Sequence, residues 1–192
     1  SNPYWIERLD EKLVMNEHNA NRIAVFDPIK ETMVEYTVPS RNTSWADCEG
    51  IEYCGVAQVF GFTVDDKKIW FTEWVENNIG VVDTSISLPF EIDLNRENIV
   101  LKRGETTEIT LEFSSTGITP YGHLVNISAT SLFTDLTINP ESTEFYSNDS
   151  GSESIIIQIT ASDSALPDTH KVLLGAYNDE IAISKFITVT IE

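Results

Sequence analysis

The chain has 192 residues, 41% of them apolar, with 31 acidic and 12 basic side chains and a formal charge of −19 at pH 7. That length suits one large domain or two modest ones. The acidic excess disfavours nucleic acid, whose phosphates want Lys and Arg, and docking on an anionic membrane; it favours solubility, a saline setting or bound cations. No apolar run of about 18 residues is present, so no membrane span is expected within the chain.

Residues 1–38 read as a first unit of four strands. Strand-like runs cover 4–9 and 31–38, and an apolar run, a polar turn and a β-branched run fill 13–27. Alternation nominates Trp5, Leu9, Leu13, Met15, Ile23, Val25, Met33 and Tyr36 as core. Pro28 breaks the ladder and Pro39 closes the unit. The chain opens inside this unit with no visible signal peptide, so a longer natural precursor is expected.

Residues 39–54 read as a turn-rich insertion. It holds Trp45, which faces a ligand or packs the loop back onto the unit. It also holds Cys48 and Cys54, five intervening residues apart. One disulfide closing 49–53 is the expectation, and with it an extracellular, periplasmic or cell-surface location. Free buried thiols are the other reading. Sequons at Asn42, Asn126 and Asn148 fit an exported chain, as do chance triplets.

Residues 55–93 read as a second four-stranded unit. Its core candidates are Phe60, Phe62, Val64, Ile69, Phe71, Ile79, Val81, Ile86 and Leu88. The two units are copies. Residues 13–27 align without a gap on 69–83, an offset of 56, pairing Glu17 with Glu73, Asn21 with Asn77, Ile23 with Ile79 and Asp27 with Asp83. Such a repeat outranks any single-segment reading. Four-stranded repeats suggest propeller blades.

From residue 94 to 192 the pattern changes to longer Ile/Thr/Val alternation. Seven strands are expected, at 99–102, 106–114, 123–130, 136–138, 154–161, 170–177 and 183–191. They read as an immunoglobulin-like β-sandwich, with Ile109, Leu111, Ile155, Ile157, Ile159, Val172, Leu174 and Ala176 facing its core. The expected fold class is therefore all-β: two propeller-type blades over 1–93, then a seven-stranded sandwich over 94–192. Two blades cannot close a ring. Their open edges call for further blades from a longer precursor or a partner chain, a homo-oligomer included.

The phrases Gly55-Val56-Ala57, Asp65-Asp66, Ile69-Trp70-Phe71-Thr72-Glu73, Asn77-Asn78-Ile79-Gly80 and Asp83 resemble the repeat of the streptogramin B lyase-like (virginiamycin B lyase-like) propeller family. In the first copy Glu17, Asn21, Arg22, Ile23, Asp27, Glu35, Tyr36 and Pro39 match. The second half resembles immunoglobulin-like modules of bacterial and archaeal surface proteins. The first resemblance implies magnesium-dependent opening of a cyclic depsipeptide by elimination, with a histidine base and nearby carboxylates. Only the glutamates carry over, to Glu17 and Glu73. Where the family places a histidine, this chain has Cys54 and, in the first copy, Pro3-Tyr4-Trp5.

The chemical candidates are therefore Glu17, His18 and Glu73, which can hold Mg²⁺ or take a proton. Glu17 and His18 are adjacent, so in a flat strand they face opposite ways. Trp70 and Trp74, with Trp45, are candidates for stacking on a sugar or peptide. No cofactor is expected; Mg or Ca are the ions these carboxylates suit. The expected role is a non-catalytic C-terminal portion of a secreted or surface propeller protein, acting in recognition, spacing or anchoring. The alternatives are part of a lyase-like enzyme whose other blades supply the base and metal ligands, and a subunit that completes its open sheet with a partner.

Overall fold

The computed structural model describes residues 3–41, 55–117, 123–131, 133–147 and 151–192. All regular structure among them is β, arranged in several antiparallel sheets. The chain divides into two compact units: Ser1–Ser87 with Asp179–Ala182, and Leu88–Asn178 with Ile183–Glu192.

The first unit holds two meanders. One is β1 (Pro3–Leu9), β2 (Lys12–Glu17), β3 (Arg22–Asp27) and β4 (Thr32–Thr37). The other is β5 (Val59–Asp65), β6 (Lys68–Glu73) and β7 (Asn78–Asp83). The strands β5, β6 and β7 begin and end 56 residues after β1, β2 and β3. Register repeats as well. Leu13 faces Phe26 as Ile69 faces Val82, and Glu17 faces Arg22 as Glu73 faces Asn78. Both first hairpins carry a register shift, between Pro3 and Ile6 and between Val59 and Phe62. Turn residues at matching places are left-handed: Asp10 and Asp66 with φ of 54° and 53°, Asn21 and Asn77 with 56° and 55°. Asp and Asn tolerate that region because their short side chains bond the local backbone. The repeat in sequence is a repeat in backbone.

The second copy has three strands here, not the four expected. The segment that would supply its fourth strand forms β8 (Phe90–Leu94), which pairs with β10 (Thr106–Ser115) in the second unit. Burial decides this: Phe90 and Leu94 alternate onto the inner face there, and the Phe90 ring lies 5.0 Å from Phe113. The division between units thus falls before Leu88 rather than after Asp93.

The two meanders share one core. Val14 faces Val25 and Asn16 faces Ile23, so these four lie on one side of the first sheet. Phe71 faces Phe62 and Ile69 faces Val64, giving one side of the second. The apolar members of these two sides form a single buried cluster. Burying each large side chain contributes about 1.5–3 kcal/mol. The opposite side of the second sheet is open. Ile23 and Val25 are 0% and 6% exposed, whereas their counterparts Ile79 and Val81 are 75% and 47% exposed. Ile79, Val81, Ile86, Phe60 and Trp5, all expected in the core, are exposed. Alternation reports which side of a strand is apolar, not whether another sheet covers it.

The second unit has two sheets. One runs β12 (Leu136–Pro140), β14 (Ser152–Ala161), β10 and β8. The other orders β16 (Ile181–Ile191), β15 (Asp168–Tyr177), β11 (His123–Ser131) and β13 (Glu144–Ser147), with β9 (Asn98–Leu101) parallel to β16. The seven strands expected after residue 94 are present within two residues at each end; the strand expected as the fourth of the second copy lies here as β8, and the short β13 was not expected. All eight residues expected to face this core are buried. Phe113 of β10 meets Phe145 of β13 edge-on at 5.0 Å, joining the two sheets.

The disulfide expected between Cys48 and Cys54 is corrected. Among the described residues no sulfur–sulfur distance in the disulfide range is found; Cys48 and Cys54 lie outside those residues, as do Trp45, Asn42 and Asn148. A disulfide needs Cα atoms within about 7 Å and facing Cβ vectors. Nearness along the chain does not impose that. The argument for location that rested on it lapses.

Candidate functional site: an aromatic patch built by the repeat

Four rings meet on the surface of the first unit. Tyr4 lies on β1, Phe60 on β5, and His18 and Trp74 on the turns after β2 and β6. Phe60 is 5.2 Å from Tyr4 and 5.1 Å from Trp74, and His18 lies 6.1–6.4 Å from Phe60, Tyr4 and Trp74. Phe60 stands 56 positions after Tyr4, and Trp74 stands 56 after His18. The patch is thus two copies of one ring pair, brought together because the two sheets pack. Tyr4 and Trp74 are 62% and 64% exposed.

The support below the patch is polar and buried. Asn16 is fully buried. Its Oδ1 accepts from the Tyr4 and Trp5 amides at 3.3 and 2.7 Å, and its Nδ2 donates to the Val59 and Phe60 carbonyls at 2.9 and 2.8 Å. It therefore fixes the backbone under two of the four rings. His18 Nδ1 lies 2.9 Å from the Val59 carbonyl. A carbonyl only accepts, so Nδ1 carries the hydrogen, and in the neutral ring Nε2 keeps its lone pair.

The sequence candidates fall in three places. His18 and Trp74 are brought together in the patch. Glu17 and Glu73 are each buried within their own sheet. Glu73 accepts from Asn78 Nδ2 at 3.2 Å. Glu17 shares a hydrogen bond with Glu35, which is also paired with Arg22 at 3.1 Å. Burial first, then the Glu17 carboxyl, push Glu35 up to about 7 against the pull of Arg22. Trp70 is exposed on the open side of the second sheet. Asn126 sits half-buried in β11, between Tyr177 and Glu144 of the neighbouring strands.

Among the described residues no three His, Cys, Asp or Glu side chains come close enough to hold a metal ion. Glu17, His18 and Glu73 do not converge there. A hollow of about 560 Å³ at the β1–β2 and β3–β4 turns, lined by Asp10, Lys12, Asp27 and Lys30 among others, mixes both charges without a converging set. Among the described residues no helix is long and apolar enough to cross a membrane. The sequence does not single out Tyr4, Asn16 or Glu35 as site residues, and alternation places Phe60 in the core. Extending the 56-residue offset to residue 4 exposes the Tyr4–Phe60 equivalence directly.

No protein-family model and no curated protein matches the chain. Solved structures with distant likeness include three bacterial proteins. A family 123 glycoside hydrolase from Clostridium perfringens gives a TM-score of 0.45 at 10% identity, over 55% of this chain and 27% of that one. A FixG-related protein from Vibrio parahaemolyticus gives 0.46 at 12% identity, over 55% and 99%. A conjugative transposon lipoprotein from Bacteroides eggerthii gives 0.39 at 15% identity, over 55% and 99%. Likenesses this distant define neither a family nor a function. The chain is an all-β protein of several antiparallel sheets.

Proposed function

We propose that the chain is a non-catalytic recognition module: the C-terminal portion of a secreted or cell-surface protein, with two propeller-type blades followed by an immunoglobulin-like sandwich. The observation that carries the reading is the exposed ring patch of Tyr4, His18, Phe60 and Trp74. Large exposed aromatic surface is uncommon unless it meets a partner. Exposed aromatic faces beside polar ring edges suit ligands with an apolar C–H face and a hydroxyl rim, such as sugar rings. The blade kinship is supported by the matching registers of the two meanders. The acidic surface fits a saline exterior.

The test is affinity electrophoresis in gels containing soluble polysaccharides, beside a mass measurement on the native protein. Retardation by at least one polysaccharide, abolished by Trp74→Ala, is expected, with a native mass above 21.6 kDa. No retardation by any polysaccharide sinks the recognition role. A native mass of 21.6 kDa sinks the C-terminal-portion role.

A further inference from the structure

In the first copy, β3 is flanked by β2 on one side and β4 on the other. In the second copy, β7 pairs with β6, and among the described residues no strand pairs with its outer edge. The first copy shows what chemistry fits there. Val34 of β4 faces Val25, and Tyr36 faces Ile23. The counterparts of Val25 and Ile23 are Val81 and Ile79, both exposed in the second copy. One strand with β4's alternation would therefore pair the open edge and lay an apolar and an aromatic side chain beside both.

Edge strands are ordinarily blunted with Lys, Pro or short length. The sequence of β7, Asn-Ile-Gly-Val-Val-Asp, has no Lys, Arg or Pro and one charge, at its end. We propose that β7 is an acceptor for strand addition: a partner polypeptide contributes one extended segment, antiparallel to β7, with apolar residues facing Ile79 and Val81. Main-chain hydrogen bonds supply affinity in such complexes, and alternate side chains supply specificity. The inference rests on the equivalence of the two copies and not on the aromatic patch. A failure of polysaccharide binding leaves it standing, and its own failure leaves the patch standing.

The probe is a synthetic peptide of residues 29–38, which contains β4, added up to millimolar concentration to the full chain. Amide hydrogen exchange is followed by mass spectrometry. Slowed exchange within 78–83 is expected. It should weaken at least tenfold in peptide affinity with the double variant Ile79→Lys, Val81→Lys, whose altered side chains are surface-exposed and leave the fold intact. A peptide carrying Lys in place of Val34 and Tyr36 should give no protection. Three results overturn the proposal: no protection of 78–83, protection insensitive to the double variant, or protection confined to 22–27, where the peptide would merely exchange with β4.

Discussion

Asn16 and Thr72 occupy the same position in the two repeats, and only Asn16 reaches a neighbouring sheet. Thr72 Oγ1 accepts from the Gly61 amide and donates to the Gly61 carbonyl, both at 3.2 Å. Gly61 is the counterpart of Trp5, whose amide Asn16 caps at 2.7 Å. Both residues thus satisfy the irregular backbone where the first hairpin changes register. Asn16 has a second arm, the Nδ2 that bonds the Val59 and Phe60 carbonyls of β5. One side chain closes a local bulge, and the other closes a bulge and joins two sheets.

A substitution series separates those tasks. Asn16→Thr should keep the bulge contact and lose the bridge, costing about 1–2 kcal/mol. Asn16→Leu should lose both and leave one buried and three half-buried backbone groups without that partner, costing about 3 kcal/mol or more. Urea unfolding monitored through tryptophan fluorescence measures the difference. Equal losses for Thr and Leu would show that the bulge contact contributes nothing of its own.

Glu35 predicts a pH dependence. Its carboxyl is held near 7 in the folded chain against an ordinary 4.5, because burial and Glu17 both oppose its charge. The folded state therefore binds more protons than the unfolded state between these values, and stability falls as pH rises through that window. The stabilising contribution is complete below about 4.5 and lost above about 7. Glu35→Gln, which keeps a neutral hydrogen-bonding group, should lack this component. The stability of the variant relative to the parent should rise by about 1–3 kcal/mol from pH 4.5 to 8. A constant difference across that range would mean that Glu35 ionises normally.

The repeat was legible because its special positions are chemical. Asn21 and Asn77 hold left-handed turns, Asp27 and Asp83 end equivalent strands, and the apolar residues between them keep step. The second unit was legible because Ile109 and Leu111, and Ile155, Ile157 and Ile159, alternate without interruption onto buried faces. Two things were hidden. The partner of residues 90–94 was one, since a strand signal does not name the strand it pairs with. Its fate was set by Phe90 finding Phe113. The site was the other. Glu17 meets Glu35 only through the three-strand register of β2, β3 and β4, and the four rings meet only after two sheets have packed.

Two glycines give opposite expectations. A Cβ on Gly175 of β15 would fall on the Ile183 carbonyl oxygen and lie 2.8 Å from Ser184 Cβ, both on the adjoining strand. Neither can turn aside, because one is backbone and the other a Cβ. Gly175→Ala should cost about 1–3 kcal/mol. A Cβ on Gly61 would lie 3.7 Å from Thr72 Oγ1, an ordinary contact. Gly61→Ala should be neutral or slightly stabilising, since it reduces the freedom of the unfolded chain. Calorimetry on both variants checks the pair, and a Gly175→Ala transition at the parent temperature would contradict the close strand approach.

His170 should be replaceable with a gain. It lies buried on β15 with its ring 4.5 Å from Phe133, and neither ring nitrogen has a hydrogen-bond partner among the described residues. Leaving a polar group buried and unpaired costs about 1–3 kcal/mol. Its ring contact returns about 0.5–1.5 kcal/mol. His170→Leu gives up the ring contact and removes both bare nitrogens at similar volume, so a net stabilisation of about 1 kcal/mol is expected. In a unit of this size that raises the melting transition by about 4–8 °C. Calorimetry should show the transition moved upward. A fall in the transition would show that the imidazole has a partner whose loss outweighs the removal of its polar atoms.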